Sequence, residues 1–484
     1  MLFLQKKDSS RVCFQNGLES RYERFYMSLS FSSFRIQDKS LFQQYVQNGG
    51  RLCEHAFANL FAWQQAFGNQ WAECEDRLIV RSRINVPNES SKYMILPNVY
   101  TVQLPEILQR IQEDAAGNPF CLVQMSEEEK RYLEQHFPDT FLFDNPREAE
   151  DYVYDVEDFK TFKGRKLAAK RNHVNKFKSL YAYHYEELIP EMFSECLRLL
   201  RLWRAEQYDA SELLDAEERV IRVFFDHYRE LDLSGGALFV DQDLVAFTIG
   251  SPISGQIFDI HIEKADVCYE GVFPMISQLF AQHLPSQYRY VNREEDLGLP
   301  GLRQSKLSYH PLKMEPKFSA CPLDDDLRGV IRLWLDCFHD DESFIHAFLS
   351  RYYHRERVFL HREAGCVVAQ CMLVPCMSEG RRIGYLYAIA TAEACRGRGF
   401  AAQVTEEAIA YARNQDMDAL VLIPADDRLR HYYTRFGFEA FPCPIRFTSD
   451  LDLGTGDVSK DYPMILKMKD ISIPEGELVC VPEG

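Results

Sequence analysis

Tyr385-Leu-Tyr-Ala-Ile-Ala-Thr391, followed by Arg396-Gly-Arg-Gly-Phe-Ala401, is the stretch whose reading decides the fold. The first run is apolar and β-prone, which predicts a buried strand. A tight Gly-rich turn follows. From Gln403 to Asn414, Val404, Ala408 and Tyr411 recur at helical spacing, which predicts a helix. Gly397 and Gly399 lack a Cβ, so the main chain there can approach a ligand closely. A helix starting at this turn leaves several N–H groups without intrahelical partners, at the positive end of its dipole. The combination is an anion cradle suited to a diphosphate. Arg396 and Arg398 add charge.

A bare Gly-x-Gly is equally consistent with a plain strand-to-helix turn. Downstream, however, lies Leu429-Arg-His-Tyr-Tyr433-Thr-Arg-Phe-Gly437-Phe438. Together the two stretches resemble the GNAT acetyltransferase family, over roughly residues 318–470. Arg396 to Ala401 matches that family's R-x-x-G-x-A loop for the pyrophosphate of acetyl-CoA. Tyr433, Gly437 and Phe438 match its tyrosine followed by x-x-x-Gly-Phe. The resemblance implies acetyl-CoA as acyl donor, held by Arg396, Gly397, Arg398, Gly399, Phe400 and Ala401. It also implies that the amides near Ile389 and Thr391 hold the thioester carbonyl where parallel strands splay, and that Tyr433 protonates the departing thiolate. A core tyrosine is the plainer reading of Tyr433. The sequence departs from the family at Glu393, where many members have proline, and at Asp426, where many have asparagine. Glu393, Asp426 and His431 lie near in sequence, but none is singled out as the base.

The length of 484 residues predicts about three units. A hydrophobic content of 46%, with 34 Phe and 25 Tyr, supplies sizeable cores and excludes a disordered chain. The net charge of −18 argues against general coating of nucleic acid or membrane, so a polyanion site must be a local patch. No transmembrane segment and no signal peptide are expected, which suggests a cytoplasmic protein. Fourteen cysteines without a C-x-x-C fit reduced thiols better than disulfides. Cys366, Cys371 and Cys376 read as packing residues, and no metal site is expected.

One local patch stands out. Between Lys160 and Lys178 there are eight lysines and arginines and no acid. This is either a solvated helix face balancing Asp155, Glu157 and Asp158, or a site at Lys163–Lys178 for a phosphate-bearing ligand such as tRNA. Further on, Arg293-Glu-Glu-Asp296 follows an apolar strand end, where binding groups are favoured; a surface ion-pair loop is the alternative.

An internal repeat is also legible. Ala237–Asn292 and Val358–Ile423 share the order strand, turn, strand, strand, turn, helix, strand. In that register Tyr269-Glu-Gly-Val-Phe-Pro274 falls on Cys395-Arg-Gly-Arg-Gly-Phe400. The earlier copy keeps Gly271, has Phe273 for the second glycine, and adds Pro274, which has no N–H. It should have the shape without the cradle. His261-Ile-Glu-Lys-Ala265, Asn292-Arg-Glu-Glu-Asp-Leu-Gly298, Gly301-Leu-Arg303, Lys306-Leu-Ser-Tyr309, Gly164-Arg-Lys166 and Lys170-Arg-Asn172 resemble the C-terminal domain of phosphatidylglycerol lysyltransferases, over roughly residues 30–312. That family's domain has two GNAT-like halves and moves an aminoacyl group from tRNA to a lipid; its membrane half has no counterpart in this sequence.

The expected fold is therefore α/β (α+β), with tandem GNAT-like acyl-CoA N-acyltransferase folds whose mixed central sheets are flanked by helices. The expected layout is an extension (1–30), two GNAT-like halves (31–155 and 156–312), a GNAT domain (313–470) and a frayed tail (471–484), with Pro311–Pro322 as a linker. The expected activity is N-acetylation of a small-molecule or peptide amine. The alternatives are aminoacyl transfer by the N-terminal region and a non-catalytic CoA-binding regulator.

Overall fold

The computed structural model describes residues 28–46, 49–83, 91–96, 104–116, 118–205, 212–449, 451–454, 463–469 and 477–482. The expected N-terminal extension lies largely outside them.

Three mixed sheets carry the described chain. The first runs Ser32–Ser33, Gln70–Cys74, Arg77–Ser82, Ser91–Leu96, Phe120–Met125, Phe318–Pro322, Phe141–Asp144. The second runs Lys313–Glu315, Asp151–Asp155, Tyr290–Asn292, Ile257–Ala265, Asp243–Pro252, Ser234–Val240, Tyr183–Glu187. The third is built on Val358–Glu363, Cys366–Ser378, Arg381–Thr391, Ala419–Leu422 and Met464–Lys467. Each contains the same device. Antiparallel strands lead into one strand that pairs in parallel with the strand after a helix, and the parallel pairing is short. It holds Ser91–Tyr93 to Phe120–Leu122, Ile257–Asp259 to Tyr290–Asn292, and Ile383–Tyr385 to Ala419–Val421. Beyond those three-residue ladders the partners separate.

The helices are where the periodicity places them. Ser126 caps Glu127–His136: its Oγ accepts the Glu129 amide at 3.3 Å, and the Glu129 carboxylate accepts the Ser126 amide at 2.6 Å. This is the reciprocal capping box that Ser126-Glu-Glu-Glu129 predicts. Cys196 and Leu200, with Val220, Ile221 and Phe224, pack with Leu78, Val80 and Met94 of the first sheet and Ala237, Phe247 and Ile249 of the second. The two N-terminal sheets therefore share one core. The spacing of Ile189, Met192, Phe193, Cys196, Leu200 and Trp203, and of Val220, Ile221, Phe224, Phe225 and Tyr228, predicts two helical core stripes; Ile189, expected in the first, is instead exposed. In the third unit Val404, Ala408 and Tyr433 cover one face, and Val330, Trp334 and Phe348 cover the other.

Four expectations need correction. Pro311–Pro322 is not a linker. Lys313–Glu315 pairs with Asp151–Asp155, and Phe318–Pro322 enters the first sheet between Phe120–Met125 and Phe141–Asp144. Strand Asp151–Asp155 belongs to the second sheet. The cysteines are not all thiols: Cys121 and Cys321, 200 residues apart, face each other across that same strand pair with Cα atoms 4.2 Å apart and form a disulfide. Sequence spacing carried no signal of this, because the partners meet only once Phe318–Pro322 returns to the first sheet. Finally, the expected frayed tail contains strand Leu478–Pro482, which pairs with Cys376–Met377 and Ile445–Phe447. Leu478 and Cys480 are buried in the third unit's core, and that burial outweighs the freedom of a chain end.

Candidate functional site

The turn between Thr391 and the helix Phe400–Asn414 is the first candidate. Gly399 caps that helix in the left-handed region (φ 89°), and Gly397 is also left-handed (φ 77°). A Cβ built on either would meet nothing within 4 Å. Among the described residues, no main-chain acceptor lies within hydrogen-bonding geometry of the amides of Gly397, Arg398, Gly399, Phe400 or Ala401. Two of the expected contributors differ. The Arg396 amide is already bonded to Glu393 O at 3.3 Å, and Arg396 Nε donates to Thr391 O at 3.3 Å. Arg398 forks onto the Glu363 carboxylate, with Nη1 to Oε2 at 2.6 Å. That pairing neutralises the charge that Arg398 was expected to add.

The earlier copy of the repeat differs in an instructive way. Gly271 caps Val272–His283 with φ 84°, as Gly399 caps its own helix. The structural counterpart of Gly271 is thus Gly399, not Gly397, and the register expected from sequence was off by two. A Cβ at Gly271 would lie 2.4 Å from the carbonyl oxygen of His173 and 3.4 Å from Phe177. The helix Ala168–Leu180 fills this approach. The Val272 amide is bonded to Tyr269 O, and the Glu270 amide to the Tyr181 hydroxyl.

Upstream of the open loop, Gln370 pairs with Ala390 and Met372 with Tyr387, so Cys371 faces two residues, Ala388 and Ile389. This is a β-bulge, and Ala388 sits at φ 47°. It lies past the end of the parallel ladder, so the Ile389 main chain borders the gap between the separating strands. Gln370 is fully buried, and neither its Nε2 nor its Oε1 has a partner; the Thr391 Oγ1 is likewise buried and unpartnered. Sequence reasoning missed Gln370; a polar side chain in the apolar run Cys366–Ser378 was the available signal.

Tyr433 lies on Asp427–Thr434 and is buried with Leu386 and Val404, against which Ile389 and Phe400 also pack. Burial, then the nearby Cys371, pushes its phenol well above the ordinary tyrosine value, so the hydroxyl keeps its proton at neutral pH. Of the base candidates, Asp426 is spent on capping, its Oδ1 accepting the Leu429 amide at 2.7 Å; Glu393 and His431 are exposed.

The Lys163–Lys178 patch divides. Lys160 pairs with Glu157, Lys176 with Glu270, and Arg171 donates to Phe162 O and Gly164 O. Lys170 sits 3.7 Å from the Tyr309 ring centre. Burial, then neighbouring Arg293, lowers its pKa to about 8. Lys163, Arg165 and Lys166 remain exposed on the turn before the helix.

A second constellation was not foreseen. Lys317, from the expected linker, is buried between the first two sheets. Its Nζ lies 2.7 Å from Asp151, 2.9 Å from Glu54, 3.2 Å from Glu295 and 3.3 Å from Cys53 Sγ. Burial alone would lower its pKa, but the surrounding acids hold it well above the usual lysine range. Glu294 and Glu295 are therefore not a surface ion-pair loop. Arg293 reaches Glu263 at 2.8 Å, and Asp296 accepts from the Tyr152 hydroxyl at 2.6 Å and from Arg303 Nε at 2.9 Å.

Repeated sheets with one splayed parallel pair and a following helix define the class: tandem acyl-CoA N-acyltransferase folds, in which the chain carries acyltransferase domains of two types. Residues 49–321, more than half the chain, match the family model for the C-terminal region of phosphatidylglycerol lysyltransferase, and the chain belongs to that family. Residues 327–438 match the acetyltransferase (GNAT) family. A conserved protein of unknown function from Bacteroides thetaiotaomicron is 34% identical, with a TM-score of 0.58, over 61% of this chain and 100% of that one. An uncharacterized protein of Mycoplasmoides gallisepticum is 18% identical over 298 residues, 61% of this chain and 91% of its own. The L-PGS of Bacillus licheniformis is 16% identical with a TM-score of 0.41, over 59% and 90%. Among the described residues no helix is long and apolar enough to cross a membrane.

Proposed function

We propose that the C-terminal unit is an acetyl-CoA-dependent N-acetyltransferase. The observation that carries this reading is the turn Gly397–Ala401, whose amides have no main-chain acceptor and whose two glycines have open space above them. A diphosphate would accept from those amides at the helix N-terminus. The acceptor nitrogen attacks the thioester carbonyl, the developing oxyanion is held by main-chain N–H groups near Ile389 and Thr391, and the C–S bond breaks. Tyr433 gives its phenolic proton to the sulfur, and the proton released from the acylated nitrogen passes to water, from which the phenolate is reprotonated. Unpartnered Gln370 supplies a donor and an acceptor for a polar group of the bound molecules. The acceptor is a small-molecule or peptide amine.

Tyr433→Phe is expected to lower the single-turnover rate by about 100-fold while changing acetyl-CoA affinity less than about threefold. Rapid-quench kinetics beside a binding titration checks it; equal losses in both would remove Tyr433 from the proton-transfer role.

A second activity is favoured by the exposed cations Lys163, Arg165 and Lys166, next to Lys170. In the N-terminal family region they fit a phosphate-bearing donor such as an aminoacyl-tRNA, and this region would then transfer an aminoacyl group. Consumption of radiolabelled aminoacyl-tRNA without acetyl-CoA is the test. Absence of turnover with either donor, with CoA still bound, would favour a regulatory CoA-binding role.

A further inference from the structure

Beside the lysine-filled acid cluster lies a second donor set of similar make-up. Asp259 and His261 are on the strand Ile257–Ala265, and Glu294 follows Tyr290–Asn292, just where those two parallel strands separate. Asp259 Oδ2 is 3.3 Å from His261 Nδ1, and His261 Nδ1 is 3.2 Å from Glu294 Oε1. The three donor atoms all lie within 4.8 Å of one another. Two donors bound at tetrahedral angles to one ion, with bonds of about 2.0–2.1 Å, are about 3.3 Å apart. The two separations from His261 Nδ1, 3.3 and 3.2 Å, are close to that value.

The site is short of positive charge. Asp259 is fully buried, and neither of its carboxylate oxygens has a hydrogen-bond partner. An uncompensated buried carboxylate is costly. In the neighbouring set of Cys53, Asp151 and Glu295, the ammonium of Lys317 occupies the centre. Lys306, the other nearby lysine, spends its Nζ on the carbonyls of Arg293 and Glu295. Among the described residues, no lysine or arginine nitrogen comes within 4.0 Å of the Asp259 or Glu294 carboxylates.

The surroundings suit a ligand set. His261 Nε2 is 2.8 Å from Ser251 Oγ. With Nε2–H donating to that oxygen, the Nδ1 lone pair faces the two acids, which is the usual outer-shell arrangement of a metal-bound imidazole. Phe224 stacks on the ring at 5.2 Å. Asn59 Nδ2 donates to Glu294 Oε1 at 3.2 Å. The Glu294 side chain is 24% exposed, which leaves a route in from solvent.

We propose that Asp259, His261 and Glu294 bind one divalent transition-metal cation. One imidazole and two carboxylates select Zn²⁺, Mn²⁺, Fe²⁺ or Co²⁺ over cations that prefer oxygen alone. Two carboxylate charges balance a divalent ion. This site is separate from the acetyl-CoA reading and stands or falls without it.

The test uses the full-length chain, stripped with a chelator and dialysed against ZnCl₂, MnCl₂ or CoCl₂, with bound metal counted by mass spectrometry. The expected result is one equivalent with a dissociation constant below about 10 µM. Asp259→Asn and Glu294→Gln should each weaken it by at least about 100-fold, and Cys53→Ser should leave it unchanged. Bound Co²⁺ should show visible d–d bands without a thiolate-to-cobalt charge-transfer band, a readout on the wild-type chain that needs no folded variant. No saturable binding, undiminished binding in both folded variants, or a thiolate band would overturn the proposal.

Discussion

Lys317→Met is expected to cost about 3–5 kcal/mol of folding stability, the range for removing one partner of a buried ion pair. Among the described residues, the lysine is the only ammonium paired with the carboxylates of Asp151, Glu54 and Glu295. Asp151 is fully buried, and its pKa is already raised to about 6 by burial, against the pull of Lys317. Without that pull Asp151 must either ionise unpaired or stay protonated at neutral pH. Methionine keeps most of the volume, so the loss reports charge more than cavity. The position also ties the segments of Glu54, Asp151 and Glu295 to the connection between the strands Lys313–Glu315 and Phe318–Pro322, which belong to different sheets. Guanidinium unfolding of the full chain checks this. A loss under about 1 kcal/mol would mean that the acids are neutral and the cluster is ordinary polar packing.

Gly399→Val is expected to weaken acetyl-CoA binding by at least about 100-fold. Two effects act together. Gly399 sits at φ 89°, where a β-branched residue is strained by about 1–3 kcal/mol. Its Cβ would also project into the space a diphosphate needs, since no protein atom lies within 4 Å there. The same change at Gly271 should not alter acetyl-CoA binding, because His173 O already occupies that approach. Titration calorimetry on the full chain is the measurement. A fragment ending at residue 312 would mislead, since it lacks the strand Phe318–Pro322 that lies inside the first sheet.

The parts of the fold legible in sequence were those written locally. The capping box at Ser126, the helical stripe at Val220–Phe224 and the repeat of Ala237–Asn292 in Val358–Ile423 each need only neighbouring residues, and the sheets and helices follow them. What escaped was assembled over long range. Phe318–Pro322 reads as a connector because it is short and bounded by prolines, yet it fills a gap between two strands of the first sheet. Cys121 and Cys321 are unrelated in spacing until that strand arrives. Lys317 is a lone basic residue in sequence, and its acids come from residues 54, 151 and 295. Asp259 and His261 look like alternation in an ordinary strand. The glycine register failed for a different reason: Gly271 comes six positions after Ala265 but Gly399 comes eight after Thr391, and only the left-handed helix cap fixes which glycines correspond. The open loop was the easiest part of the site to find, since it depends on a contiguous strand, turn and helix.

Amide hydrogen exchange of the full chain, with and without acetyl-CoA, tests the central claim most directly. The account predicts slowed exchange at the amides of Gly397, Arg398, Gly399, Phe400 and Ala401, with no change at Val272 and Phe273. Unchanged exchange at 397–401 under saturating acetyl-CoA, or protection at the helix start Val272–Phe273 instead, would contradict it.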